Sequence, residues 1–252
     1  MLYDEQQSKQ LITGILSGKI SSSKEAEFFD RDKIKQKILD GLDFTSDSNE
    51  QKFLICIGGG QCSGKTTLKN YLNQSGLLEG AIEIKSRIFK DNIPEYKLLK
   101  ELPNNLENYD NISEDQAHRL SLQSFPFIEK EAAEIRKEIV KKATESGRDL
   151  IIDSQMYDSK NFEEICKICK KAGYETLLIH PHVNMQTYFD RVQQRAEQSG
   201  RRVIHTEFLE KHKSFAENLT KYEESFDTTI IIDNNPNIEH EDAPHIAAVI
   251  NS

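Results

Sequence analysis

The sequence predicts an α/β protein: a doubly wound parallel sheet of about five strands, preceded by a helical extension. Three observations predict it. Short apolar runs alternate with longer segments of helical periodicity. One run, Phe53-Leu54-Ile55-Cys56-Ile57, is unbroken, as in a strand buried on both faces of a parallel sheet. That run leads into a glycine loop, and Leu68, Tyr71 and Leu72 follow at helical spacing.

The elements follow in order. Leu11, Ile12, Ile15 and Leu16 form one helical stripe; Phe28, Phe29, Ile34, Ile38 and Leu42 form another. Residues 1–50 therefore read as a helical N-terminal extension, with Ser21-Ser22-Ser23 placed to cap its second helix. Thr45-Ser46-Asp47-Ser48-Asn49-Glu50 is a linker by composition. Residues 51–252 then read as one α/β domain. Within it, Ala81–Ile84 reads as a strand, and residues 113–146 as a long helical region broken near Pro126. Asp149-Leu150-Ile151-Ile152-Asp153 is a buried strand ending in a carboxylate. A helix over 159–172, a strand over Glu175–His180 and a helix over 184–198 continue the alternation. One or two helices over 205–224, a strand over Thr228–Asp233 and a short closing helix over 242–250 complete it.

The glycine loop names a ligand class. Gly59, Gly60, Gln61, Cys62, Ser63, Gly64, Lys65 and Thr66 complete the pattern G-x-x-x-x-G-K-[ST], and Thr67 follows. The glycines let backbone N–H groups ring a phosphate chain, the lysine adds a cation, and the hydroxyl of Thr66 suits Mg²⁺. The next helix aims the positive end of its dipole at the same phosphates. An ordinary glycine-rich turn would share the glycines, but strand before and helix after favour phosphate binding. The implied ligands are ATP and Mg²⁺.

Composition sets bounds. With 252 residues, 37% hydrophobic and 30% charged, the chain can build one large domain core. No apolar run approaches the roughly 20 residues that span a bilayer. The start, MLYDEQQSKQ, is unlike a secretory signal. The expected location is the cytoplasm, with export into another cell as an effector the alternative. A net charge of −9 argues against nucleic acid as the main partner. The four cysteines, Cys56, Cys62, Cys166 and Cys169, suit a reducing compartment. Cys166 and Cys169 share an amphipathic stripe with Phe162, Ile165 and Ala172, which favours core packing over a metal site. Cys62, inside the loop, is placed so that its oxidation would obstruct nucleotide binding.

Two further groups carry chemistry. Asp153 ends a strand, where ligands bind in open α/β sheets, and its carboxylate suits Mg²⁺. Arg191 and Arg195 lie one helical turn apart, and Ser199-Gly200 then delivers Arg201 and Arg202. Arginines closing over a transferring phosphate stabilise its charge, so residues of about 191–205 read as a lid. A solvated charged face, with Asp190 and Glu197 as partners, is the blander alternative.

The loop Gly59–Thr67, the segment Phe89-Lys90-Asp91-Asn92-Ile93-Pro94-Glu95-Tyr96 and the strand Leu150–Asp153 resemble the zeta-toxin family. So does Ser199-Gly200-Arg201-Arg202-Val203 followed by His212-Lys213-Ser214-Phe215. The resemblance runs over roughly residues 52–235. It implies a P-loop kinase fold using ATP and Mg²⁺, with a UDP-amino sugar as acceptor in the characterised toxins. It also implies a protein antitoxin as partner. By the same resemblance, Lys65 and Thr66 match the phosphate and Mg²⁺ residues, and Asp153 the acidic residue ending the third strand. Arg191 and Arg201 or Arg202 match the arginines that clamp the phosphate.

One departure stands out. Where the family usually has Asp-x-Asp, with its second Asp deprotonating the acceptor hydroxyl, this chain has Lys85-Ser86-Arg87. A cation cannot accept that proton. His118 is likewise followed by Arg119-Leu120-Ser121 rather than by the family's Glu. Asp153 or Asp91 then becomes the candidate base, or positioning alone sustains transfer through a loose transition state. Alternatively, Lys85 and Arg87 bind a different, anionic acceptor. The reading is a zeta-toxin-like phosphotransferase acting on a small hydroxyl-bearing acceptor, with a nucleotide sugar as one candidate. The alternatives are a nucleotide-binding pseudokinase serving as an interaction module, and a nucleoside or nucleotide kinase.

Overall fold

A computed structural model describes residues 5–26, 28–45, 51–60, 62–109, 112–156, 158–199, 205–236 and 245–251. In chain order the elements begin with α1 (Glu5–Leu16), α2 (Arg31–Asp40), β1 (Phe53–Gly58), α3 (Lys65–Gln74) and β2 (Ile82–Lys85). Four helices follow: α4 (Ser86–Asn92), α5 (Pro94–Glu101), α6 (Glu114–Leu122) and α7 (Ser124–Ser146). The remainder is β3 (Leu150–Ser154), α8 (Ser159–Lys171), β4 (Glu175–His182), α9 (Met185–Ser199), α10 (His205–Ser225), β5 (Thr228–Asp233) and β6 (His245–Asn251).

The strands form one six-stranded sheet in the order β2-β3-β1-β4-β5-β6. β1 pairs in parallel with β3 on one side and β4 on the other, and β4 pairs in parallel with β5. Gly58 stands opposite Ser154, and Ile57 opposite both Asp153 and Ile179, so the carboxyl ends of β1 and β3 are level while β4 runs on to His182. β1 thus lies where the strand order turns from one direction to the other, the place at which such sheets bind ligands.

Several expectations change. Residues 245–251 are a strand antiparallel to β5, not a closing helix, and they raise the strand number to six. The run His245-Ile246-Ala247-Ala248-Val249-Ile250 is too short for periodicity to separate helix from strand, and β5 offers it an open edge. The helical region over 113–146 is broken near Pro126, as expected, but the proline itself lies inside a helix. It lies in the first turn of α7, where its missing N–H has no intrahelical partner, and the chain divides at Gln123 instead. Asp30, not a serine, caps α2, accepting from Lys33 N at 3.0 Å. Phe28 and Phe29 therefore precede that helix. Of the expected linker, residues 46–50 lie outside the described residues.

The chain divides into two compact units. One joins Met1–Asp43 to Lys85–Ile139; the other joins Phe44–Ile84 to Val140–Ser252. The described N-terminal helices therefore share a unit with residues 85–139. Leu11, Ile12, Ile38, Phe89 and Ile93 are buried in it. Its polar centre is Arg31. The guanidinium takes both Glu95 oxygens in a fork, one bond measuring 3.1 Å. It also donates to Glu131 Oε2 at 3.3 Å and to the Ala26 carbonyl at 2.7 Å. The Ser23 hydroxyl donates to the same Glu131 oxygen at 2.6 Å. Burial pushes the Glu95 carboxyl up, and the hydrogen bonds and charge of Arg31 pull it back.

The second unit carries the sheet. Leu68 of α3 packs on Ile57, Ile151, Ile179 and Ile232 of four adjacent strands. Phe162, Ile165, Cys166 and Cys169 are the buried stripe of α8. Burial pushes the Cys169 thiol up to about 12 and raises that of Cys166 further, the behaviour of core packing residues.

Replacing Arg31 with Ala leaves two buried carboxylates without their shared cation. The expected loss of stability is about 3 kcal/mol, in the range for breaking a buried ion pair from one side. Chemical denaturation measures it, and adding Glu95→Gln to Arg31→Ala should cost less than the sum of the two single changes.

Candidate phosphate-binding site

The loop between β1 and α3 is defined by where its carbonyls point. His180 Nδ1 lies 3.0 Å from the Gly58 carbonyl, a bond that requires the proton on Nδ1. Lys65 Nζ donates to the carbonyls of Gly59 and Gly60, both at 2.7 Å, and the Ser63 hydroxyl also donates to Gly60 at 3.0 Å. Arg191 Nη1 donates to the Cys62 carbonyl at 3.3 Å. Asn234 Nδ2 donates to the Ser63 carbonyl at 2.7 Å. The Gly64 carbonyl accepts from Leu68 N at 3.0 Å, opening the ladder of α3. A trans peptide is planar, so its N–H points opposite its C=O. Fixing the carbonyls of Cys62 and Ser63 therefore fixes the N–H groups of Ser63 and Gly64 on the other side. Among the predicted loop residues, Gln61 lies outside the described residues.

The backbone has little freedom to do otherwise. Gly64, at φ 98°, is left-handed, and a Cβ there would fall 1.9 Å from Asn234 Nδ2. Cys62 is left-handed too, at φ 60°, although it is not glycine. Such a conformation costs of order 1 kcal/mol or more and persists only when surroundings impose it. Here Cys62 packs against Val183, Tyr188 and Val192 of the segment carrying α9.

The charged groups are few and close. Burial lowers the Lys65 ammonium from its ordinary value, and the charge of Asp153 works in the opposite sense. Asp153 is half-buried at the end of β3, in register with Ile57. Thr66 and Thr67 are exposed in the first turn of α3. Arg191 and Arg195 both turn toward the loop: Arg191 Nη2 donates to the Asn234 carbonyl at 2.7 Å, and Arg195 Nη1 lies 3.8 Å from Cys62 Sγ. Burial lowers the Arg191 guanidinium as well.

The sheet-bearing unit thus gathers Gly59, Gly60, Cys62, Ser63, Gly64, Lys65, Asp153, Arg191 and Arg195 around one loop. Arg201 and Arg202 lie outside the described residues. Lys85 and Arg87 belong to the other unit. Arg87 is 83% exposed and pairs with Asp91 one turn along α4, at 2.9 Å. Lys85 is exposed at the end of β2.

Sequence reasoning missed Asn234 and His180. A signal existed for Asn234, since it directly follows the carboxyl end of the last parallel strand, where ligand-side residues cluster. His180 gave none, since a histidine near the end of an apolar strand is most often a core residue. Its ring stacks on Phe215 of α10 with centroids 4.2 Å apart, and Phe215 in turn meets Tyr222 at 5.4 Å. Phe215, quoted above for its resemblance, is therefore packing beneath the loop.

Comparisons agree with this architecture. No curated protein sequence matches the chain. Among solved structures, one from the PezAT chromosomal toxin–antitoxin system of Streptococcus pneumoniae superposes with a TM-score of 0.60. It is 16% identical, over 88% of this chain and 81% of that one. The AvrRxo1-ORF1:ORF2 complex solved with ATP gives a TM-score of 0.51 at 14% identity, over 88% of this chain and 67% of that one. The same complex with sulphate ions gives 0.50 at 13% identity, over the same shares. These likenesses are of fold. A family model described as Zeta toxin matches residues 35–241, most of the chain, and the protein belongs to the zeta toxin family.

Proposed function

We propose that this protein transfers a phosphoryl group from ATP to a small hydroxyl-bearing acceptor, with Mg²⁺ as the metal. One observation carries the reading: the carbonyls of Cys62 and Ser63 are each held outward by a donor from another element, so the next N–H groups face the opposite side, at the head of α3. That is the arrangement of an anion-binding nest. The left-handed Gly64 and Cys62, and Lys65 within the loop, fit a phosphate chain.

The roles follow from position. The loop from Gly59 to Gly64, with Lys65, Thr66 and Thr67, holds the phosphates. Thr66 and Asp153 would hold Mg²⁺, which would supply positive charge to offset that of the phosphates. Arg195, with Arg201 and Arg202, closes over the transferring phosphate, while Arg191 fixes the loop. Asp153 is the carboxylate beside Lys65, and where it does not ligate Mg²⁺ it is the first choice to receive the acceptor's proton. A loose transition state asks little of that base. Lys85 and Arg87 serve an anionic acceptor, with nucleotide sugars the first class to try. A protein antitoxin or regulator is the proposed partner, and the cytoplasm the proposed location. Among the described residues, no helix is long and apolar enough to cross a membrane.

Incubation with Mg·ATP, following ADP with and without UDP-sugars, tests the reading. Lys65→Ala should abolish both binding and turnover; normal turnover in that variant would sink the assignment. Asp153→Asn should keep the fold and lower turnover by roughly a hundredfold or more, the usual contribution of a proton-transfer or charge-positioning group. Tight binding with no turnover on any acceptor would instead assign a nucleotide-dependent interaction module.

Lys65 adds a pH signature. Burial depresses its pKa, and an incoming polyanion raises it again. Mg·ATP binding should therefore take up protons between the depressed value and the ordinary lysine range, and affinity should fall as pH rises through that interval. Calorimetry in buffers of different ionisation enthalpy measures the uptake. Identical heats in every buffer would contradict it.

A further inference from the structure

The geometry points to Asn234 as a positioning residue that sets the anion-binding shape of the loop from just beyond the carboxyl end of β5. We infer that it acts through Ser63 rather than by touching the transferring phosphate.

Asn234 makes one bond in each of three directions. Its side-chain Nδ2 donates to the Ser63 carbonyl at 2.7 Å. Its own carbonyl accepts from Arg191 Nη2 at 2.7 Å, and that same guanidinium holds the Cys62 carbonyl through Nη1 at 3.3 Å. Its backbone N–H donates to the His182 carbonyl at 2.9 Å. The turn it stands on is fixed as well. Asn235 N donates to Asp233 Oδ1 at 3.0 Å, and Asn235 Oδ1 accepts from Asn184 N at 2.8 Å. The amide thus reaches the loop from a base tied to the ends of β4 and β5 and the start of α9.

Two consecutive peptide planes of the loop answer to this residue. Asn234 holds the Ser63 carbonyl directly and the Cys62 carbonyl through Arg191. Both planes would be free to rotate about their flanking dihedrals without these bonds, carrying their N–H groups away from the nest. The fit is also steric. Nδ2 occupies the space that a Cβ on residue 64 would need, so glycine there and asparagine at 234 are one matched pair. An aspartate in the same place would present oxygen to the Ser63 carbonyl and could not donate.

The inference rests on the phosphate-binding reading only for the identity of the ligand, and the test separates the two. Of the four thiols, Cys56, Cys166 and Cys169 are buried while Cys62 is not, so alkylation of Cys62 reports the state of the loop without any nucleotide. Asn234→Ala and the near-isosteric Asn234→Asp are compared with the unaltered protein, using iodoacetamide with mass spectrometry. Affinity for inorganic tripolyphosphate is measured beside it. Losing one hydrogen bond should speed Cys62 alkylation, and weaken tripolyphosphate binding, by roughly five- to tenfold. Should the alanine variant not fold, the aspartate variant decides. An unchanged alkylation rate in a folded variant overturns the proposal, even if its melting temperature has dropped. If the unaltered protein does not bind tripolyphosphate, the phosphate-binding reading fails, and the alkylation rate still decides whether Asn234 positions the loop.

Discussion

The candidate site depends on which way the peptide planes from Gly58 to Gly64 face. A carbonyl oxygen carries partial negative charge, so a loop that turned its carbonyls inward would repel phosphate. Three other elements supply donors that turn carbonyls aside, His180 on β4, Arg191 on α9 and Asn234 beyond β5, while Lys65 at the head of α3 covers those of Gly59 and Gly60. No local sequence could supply them all. They converge because β1 lies between β3 and β4 in parallel register, with β5 next in order. The sheet topology is therefore a precondition of the loop's chemistry and not merely its support.

This arrangement has an electrostatic consequence. Lys65 and Arg191 spend hydrogen bonds on neutral carbonyls, and burial disfavours the charged form of each. Asp153 is the carboxylate that works against this at Lys65. Cations satisfied by dipoles rather than by full counter-charges keep their attraction for an anion. The same charges drawn into tight salt bridges would have lost most of it. The contrast lies in the other unit, where Arg31 is paired with the full counter-charges of Glu95 and Glu131.

How much was legible in the sequence follows the range of each interaction. The strand Phe53–Gly58, the loop and α3 were readable because they are adjacent in the chain, as was the carboxylate at the end of β3. The six-stranded count was not, because β6 is defined by its pairing with β5 rather than by its own periodicity. Asn234 stands 171 residues from the carbonyl it holds, so its place after β5 could mark it as ligand-side but could not name its partner. The N-terminal helices were read as an appendage for the same reason: Arg31 meets Glu95 and Glu131 across 64 and 100 residues. The serines before α2 looked like caps, but Ser23 turns its hydroxyl to Glu131, and Asp30 takes the capping role.

The most distinctive family-like segment has a different use from the one its distinctiveness suggests. In Phe89-Lys90-Asp91-Asn92-Ile93-Pro94-Glu95-Tyr96, Phe89, Ile93 and Glu95 are fully buried. Pro94 starts α5 at the position where proline is preorganised for a helix. Glu95 is the fork for Arg31, and Lys90 lies over the rings of Tyr96 and Phe125 at 5.7 and 4.9 Å. Each conspicuous residue of the segment is thus explained by packing within the helical unit. What precedes it is not: among the described residues, Arg87 is exposed and held by a surface pair with Asp91 that contributes at most about 1 kcal/mol. A residue so weakly committed can be drawn away by a stronger anion, whereas Glu95 cannot leave Arg31 without stranding a buried charge. The conspicuous residues of this segment are therefore accounted for within the helical unit itself, and conspicuousness in sequence is not by itself the mark of a binding site.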